Sequence, residues 1–436
     1  RIFYMVYFLE ETPFCLLYSI MNKLIKKIIF YINKNIYKMG GGLLNLVAYG
    51  NLNIIVNGNP SKTFFKTSYK KYTNFGLQKF RLDFEGQKML RLNESSIFNF
   101  NVPRYADLLM DTYLSVLLPN IWSPIIASQG QQNWKPYEFK WIDNIGCNLI
   151  KEVTFTVGGQ IIQKFSGQYL YNIVKRDFTH SKQELFNQMT GNYNQLNDPK
   201  SFNNGNYPNA WYIPENQGGP QPSIPATQLF IPLNIWFTLA SKMAFPLVSL
   251  QYNLLQISIE CRPIYELFVI RDVLSDSING EELKYIQPDQ NVAAYQFYRF
   301  LQPPPEELIF SNNSNQYIDK RTDWFADIHL ISTFGFLGDD EVRVFAGQNQ
   351  SYLIKEVQET DFYNVTGKQK LQLYSFGLVS SWMWYFQRND AYLRNEWTNY
   401  SNWPYSNTIP YPAGSDSTPF DIKPVNPNDK YSAYLF

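Results

Sequence analysis

The chain has 436 residues, 38 Lys and Arg against 37 Asp and Glu, and a net charge of +1. That balance creates no field to draw the whole molecule to nucleic acid or anionic lipid, and the length points to two domains of ~150–250 residues with protein as the partner. Three cysteines (Cys15, Cys147, Cys261) without CxxC spacing and two histidines (His180, His329) exclude a Cys/His zinc site and fit a reducing compartment.

Residues 1–38 are rich in Ile, Tyr, Phe, Lys and Asn, the composition of A/T-rich non-coding DNA when translated. A basic amphipathic helix on a membrane surface is the other reading, from Met21, Leu24, Ile25, Ile28, Ile32 and Ile36 at helical spacing. The charges leave no spanning run, and their order is not that of a signal peptide. From Met39 the chain reads MGGGLLNLVAYG, a flexible arm leading into a first strand.

Beyond it, 33 Phe, 32 Tyr and 10 Trp among 25 Pro and 23 Gly favour short strands and turns. KEVTFTVGGQIIQKF (151–165) predicts a hairpin about Gly158-Gly159. GQYLYNIVKRDF (167–178) predicts a helix, and residues 190–228, dense in Asn, Gln, Gly and Pro, an exposed loop of functional length. In LVSLQYNLLQISIEC (247–261), Leu255, Ile257, Ile259 and Cys261 share one face and Gln256, Ser258 and Glu260 the other, as in a strand with one wet side. Residues 266–296 read as a connector. GDDEVRVFAG (338–347) predicts a second helix, its acidic residues at the amino end. Strand texture resumes at 324–337, 352–357 and 371–387. The expectation is an all-β chain of two tandem jelly rolls, at 39–265 and 297–436.

Five stretches, spanning about 39–405, resemble the double jelly-roll major capsid proteins of nucleocytoplasmic large DNA viruses, most of all the mimivirus-like branch. They are MGGGLLNLVAYG with NGNPSKTFFK and YTNFG; NLIKEVTFTVGGQIIQKFSGQYL; IPLNIWFTLASKMAFPLVSLQYN; ISIECRPIYEL; and YLIKEV with SSWMWYFQRNDAYLRNEWTNYSNWPY. The resemblance implies that the mature subunit begins at Met39, that residues 1–38 lie outside it, and that the second jelly roll is truncated at its carboxy end. It also implies a structural subunit, forming pseudo-hexameric trimers that tile an icosahedral shell, assembled in the host cytoplasm and located in the virion. Its partners are its own trimer mates, neighbouring trimers and minor capsid proteins, with the inner viral membrane touched at most indirectly and no specific nucleic acid. A capsid paralogue or an assembly scaffold trimer, like the related poxvirus scaffold protein, is the runner-up. A carbohydrate-binding jelly roll is the alternative of another class.

No chemistry-bearing motif competes with this reading, since neither GxxxxGK nor GxGxxG occurs. His180 and His329 read as ordinary surface or sheet residues, and Asp339, Asp340 and Glu341 as capping groups at a helix start. No catalytic, cofactor-binding or metal-ligating residue is expected, no cofactor is implied, and the protein is not expected to be an enzyme. Trp382, Trp384 and Phe386 should fill one face of a strand, while Trp397 and Trp403 line a loop packed on a neighbouring subunit. Exposed rings could instead stack on sugars. Among the sequons, which include Asn93 and Asn312, Asn349, Asn364 and Asn399 are the glycosylation candidates.

Overall fold

The computed structural model describes residues 2–9 and 73–401, apart from 87–88, 128–133, 251, 272–284, 307–316, 364, 366–367, 374–377 and 389–390. Its strands are β1 (Ile2–Leu9), β2 (Gly76–Leu82), β3 (Glu85–Gly86), β4 (Ser96–Val102), β5 (Leu108–Leu118), β6 (Ile125–Ala127), β7 (Trp134–Pro136), β8 (Phe139–Trp141) and β9 (Ile150–Val157). There follow β10 (Gln160–Ser166), β11 (Thr227–Pro232), β12 (Phe245–Pro246), β13 (Leu255–Cys261), β14 (Phe268–Arg271), β15 (Tyr285–Ile286), β16 (His329–Phe336), β17 (Lys355–Phe362) and β18 (Leu378–Phe386). Helices are short: α1 (Ile145–Leu149), α2 (Gly167–Asp177), α3 (His180–Met189) and α4 (Asp339–Gly347). The all-β class expected from the sequence is borne out.

Two five-stranded sheets supply most of the buried core. In one the order is β10-β9-β13-β4-β3; in the other, β11-β5-β16-β2 with β12 beside β5. Alternation dictates the inward faces. Phe98, Phe100 and Val102 of β4, Val153 and Phe155 of β9, and Leu255, Ile257 and Ile259 of β13 are buried. From the second sheet Leu114, Val116, Leu229, Ile231, Leu330 and Phe334 enter the same cluster, as in a sandwich. Antiparallel register puts Ile257 opposite Phe100 on one side and Phe155 on the other.

The hairpin β9–β10 turns at Gly158 and Gly159, whose φ values of 56° and 83° are those of the two-residue turn that suits twisted strands. The chain then enters α2 at the expected place. Ser166 caps it by accepting from the Tyr169 amide at 3.2 Å, and a Cβ on Gly167 would collide with the carbonyl oxygens of Cys147 and Ile150, so the helix start lies against α1 backbone to backbone.

Several segments depart from the sequence reading. The strand expected over 247–261 begins only at Leu255, because β12 ends at Pro246 and Leu247–Ser249 form a 3-10 turn. The stretch 190–228 is no free loop. Leu196, Ala210 and Ile224 are buried, Ile121 bridges Ile224 and Pro124 bridges Ala210, and Asn209 Nδ2 donates to Tyr137 O at 2.6 Å. Its exposed stretches are short, the longest at residues 201–206 and others at 211–212 and 215–218. Within 266–296, β14 lies between β8 and β15, and Phe268 and Ile270 belong to the buried cluster, as do Phe297 and Phe300. Residues 329–336, assigned by sequence to a second unit, run as β16 between β5 and β2. A separate three-stranded sheet has the order β17-β1-β18; residues 2–9 of the segment expected as a leader are its central strand, while residues 10–38 and Met39 lie outside the described residues.

Candidate assembly surface

β18 is LVSSWMWYF, and its side chains sort by parity. Met383 is partly buried against the core and Tyr385 is buried, with its hydroxyl donating to Gln168 Oε1 on α2 at 3.2 Å. Leu378, Trp382, Trp384 and Phe386 lie on the other face and are 49, 39, 60 and 62% exposed. The expectation that Trp382, Trp384 and Phe386 share a face therefore holds, but that face looks outward. Covering such rings contributes about 1–2 kcal/mol each, and rings of this kind anchor protein interfaces.

The sheet is held to the rest of the molecule through its inner face. Gln163 Nε2 donates to Lys355 O at 3.3 Å, and Arg176 Nη1 to Ser381 Oγ at 3.2 Å. Ser166 N and Oγ both donate to Glu359 Oε1 at 3.0 Å. Burial pushes the Glu359 carboxyl up to about 7, with Asp361 and Glu152 adding to the rise against the opposing bonds from Ser166.

Beyond β18, residues 391–400 dock onto the first two sheets' unit through buried polar contacts. Asn395 Nδ2 donates to Tyr265 O (2.8 Å) and Phe268 O (2.9 Å), and Trp397 Nε1 to Glu266 O (3.1 Å). Arg262 stacks on the Trp397 ring with its guanidinium carbon 3.9 Å from the centroid. Asn144 Nδ2 donates to Thr398 Oγ1 at 2.9 Å, and Arg394 pairs with Glu396 at 3.0 Å. Trp397, expected against a neighbouring subunit, is thus consumed within the chain; Trp403 lies outside the described residues. The sequence carried no signal for this docking, since its partners lie more than a hundred residues away.

The other singled-out residues are scattered. His180 is exposed and lies 3.2 Å from Glu184, whereas His329 is buried and donates from Nδ1 to Asp327 O at 2.6 Å. Asp339, Asp340 and Glu341 occupy the first turn of α4, where Gly338 is the N-cap and no side chain caps; they complement the helix dipole instead. Glu341 also accepts from Thr73 Oγ1. Cys147 and Cys261 are free, buried thiols that burial pushes up to about 12; Cys15 lies outside the described residues. No His/Cys/Asp/Glu group suited to a metal occurs among the described residues, and none of their helices is long and apolar enough to cross a membrane. Asn349 is exposed. Asn399 is 3% exposed, its Nδ2 donating to Glu396 Oε2 at 2.9 Å and its Oδ1 accepting from Ser401. Asn364 lies outside the described residues. One ion cluster escaped sequence reading: Glu138, buried in the first unit, takes Arg271 Nη1 at 2.5 Å and the Tyr285 hydroxyl at 2.8 Å.

These features define an all-β protein with an outward aromatic strand and no assembled catalytic constellation among the described residues. The family described as "Major capsid protein N-terminus" matches residues 63–302, more than half of the chain, and the chain belongs to that family. It is 29% identical over 343 residues to the major capsid protein of Chrysochromulina ericina virus, covering 74% of this chain and 53% of that protein. With the major capsid protein of Phaeocystis pouchetii virus the identity is 30% over 307 residues, 70% of this chain and 54% of the other. The chain thus spans about half the length of these curated relatives. Among solved structures, the quasi-atomic model of the PBCV-1 virus capsid aligns with a TM-score of 0.41 at 16% identity, covering 68% of this chain and 50% of that one.

Proposed function

We propose that this chain is shell-forming sequence of a major capsid protein, a structural and non-enzymatic subunit of a large DNA virus. The family match over residues 63–302 carries the reading. Those residues include most of the two-sheet core. The subunit assembles as a homotrimer whose tandem jelly rolls give a near-hexagonal block able to tile flat facets. Neighbouring trimers and minor capsid proteins are its partners, the virion its location and the host cytoplasm its place of assembly. The outward rings of β18 supply contact area of the kind such blocks bury, and the near-neutral charge agrees with protein rather than nucleic acid as the partner. Of the glycan sites, Asn349 alone is exposed among the described candidates.

The paralogue reading draws on likeness to more than one capsid protein of a single virus. Acanthamoeba polyphaga mimivirus "Capsid protein 1" is 28% identical and its "Probable capsid protein 4" 24% identical to this chain. Quantitative peptide mass spectrometry of purified virions separates the readings. A major subunit is expected at the highest copy number of the shell proteins. A minor paralogue appears at low copy, and a scaffold is made in infected cells but missing from mature particles.

A further inference from the structure

β17 and β18 each pair antiparallel with β1 and not with each other, so the two run parallel with a slot one strand wide between them. Without β1, each wall of that slot presents a row of amides and carbonyls that another strand can pair. Both walls are fastened to the two-sheet unit by bonds that do not involve β1. On β17, Lys355 O accepts from Gln163 and Glu359 accepts from Ser166. On β18, the Tyr385 hydroxyl donates to Gln168 and Ser381 accepts from Arg176. The slot is therefore built into the fold independently of its occupant.

The occupant has no such fastening. β1 pairs from Ile2 to Leu9 on both sides, with one irregularity between Val6 and Phe8 beside β18, and packs extensively on no other described element. Its sequence, IFYMVYFL, has no charge, Gly or Pro, and such a segment aggregates when it is not seated in a sheet. Residues 10–72, outside the described residues, join it to the next described segment. At full stretch that tether reaches on the order of 200 Å, against about 30 Å for the diameter of a small domain. Register sets Tyr4 beside Trp384 and Val6 beside Trp382, so the slot runs along the outward aromatic row of β18. A copy docked on that row lies at the slot.

We propose that β1 is an exchanged strand: in the trimer, residues 2–9 of one copy fill the β17–β18 slot of the next, and the ladder bonds of the closed form are remade between chains. Each copy gives one strand and receives one, so three exchanges close the ring. The inference rests on the trimer reading above. It gives residues 2–9 a place in the assembled subunit, where the resemblance implies that residues 1–38 lie outside it.

The test is a disulfide between register partners on β1 and β17, Phe8→Cys with Glu356→Cys, in a full chain that also carries Cys15→Ser. Cys147 and Cys261 are buried and stay out of the reaction. After mild oxidation the protein should run on a non-reducing denaturing gel at three times the single-chain mass and return to the single-chain mass with reductant. Val6→Cys with Gln358→Cys, two residues along the same ladder, should behave alike and serves where the first pair disturbs folding. Sedimentation of the unoxidised protein keeps the two readings apart. A trimer whose disulfide closes within one chain overturns the exchange and leaves the trimer standing, whereas a monomer overturns both. No disulfide in either pair also overturns the exchange, because the register it depends on is then wrong.

Discussion

β13 and β18 carry the same period-two alternation and meet opposite fates. In β13, Leu255, Ile257, Ile259 and Cys261 are sealed beneath a second sheet, whereas in β18 the comparable row of Leu378, Trp382, Trp384 and Phe386 faces out. Periodicity decides which residues share a face. What covers that face is decided by another layer, which for β13 is a second sheet and for β18, on the proposed function, is another subunit.

The largest expected effect breaks this contrast at its inner end. Ile257→Asp buries a carboxylate between Phe100 and Phe155 and costs several kcal/mol, comparable with the 5–15 kcal/mol margin of a domain. Trp384→Asp, on an exposed face, should change the unfolding free energy of the isolated chain by no more than about 0.5 kcal/mol. Circular dichroism with urea titration checks both. If the two variants unfold alike, the assignment of inner and outer faces fails.

Next comes the buried polar part of the inner region. Glu138→Ala strands Arg271 without its carboxylate and should cost about 3–5 kcal/mol, read as a drop in the urea midpoint.

A smaller effect lies at the joint between the two regions. In the unfolded chain the Glu359 carboxyl titrates near 4.5 and in the folded one at about 7. Between those values the native state holds a proton that the unfolded state has released, so stability is highest below the lower value and falls as pH rises through the window. Thermal melts should show a higher Tm at about pH 5 than at about pH 8, and Glu359→Gln should remove that part of the slope. A slope unchanged by the substitution would show that the joint does not bury this carboxyl.

Smallest is Asn204→Ser at the exposed tip of the 190–228 excursion. Asn204 has φ of 53°, a conformation Asn tolerates better than Ser, so a loss under about 1 kcal/mol is expected with assembly unchanged.

What the sequence disclosed follows the same division between local and distant causes. The Gly158-Gly159 hairpin, α2, α4 and the β13 alternation were legible because turn chemistry, helical periodicity, acidic residues at a helix amino end and side-chain parity act within a few residues. The anchoring of 190–228 was not legible, since a tract of Asn, Gly and Pro looks the same whether its amides meet water or, like Asn209, a carbonyl of another strand. Nor was the outward turn of Trp382 and Trp384, or the capture of Trp397 by Arg262, because each depends on a layer or partner distant in sequence.

Sedimentation equilibrium of the chain beside its W382S/W384S variant tests the central claim most directly, that the outward face of β18 is an assembly surface. The account predicts a three-subunit mass for the parent chain and a single-subunit mass for the variant, with the same circular dichroism spectrum for both. A parent chain that stays monomeric at high concentration, or a variant that still sediments as the trimer, would contradict it.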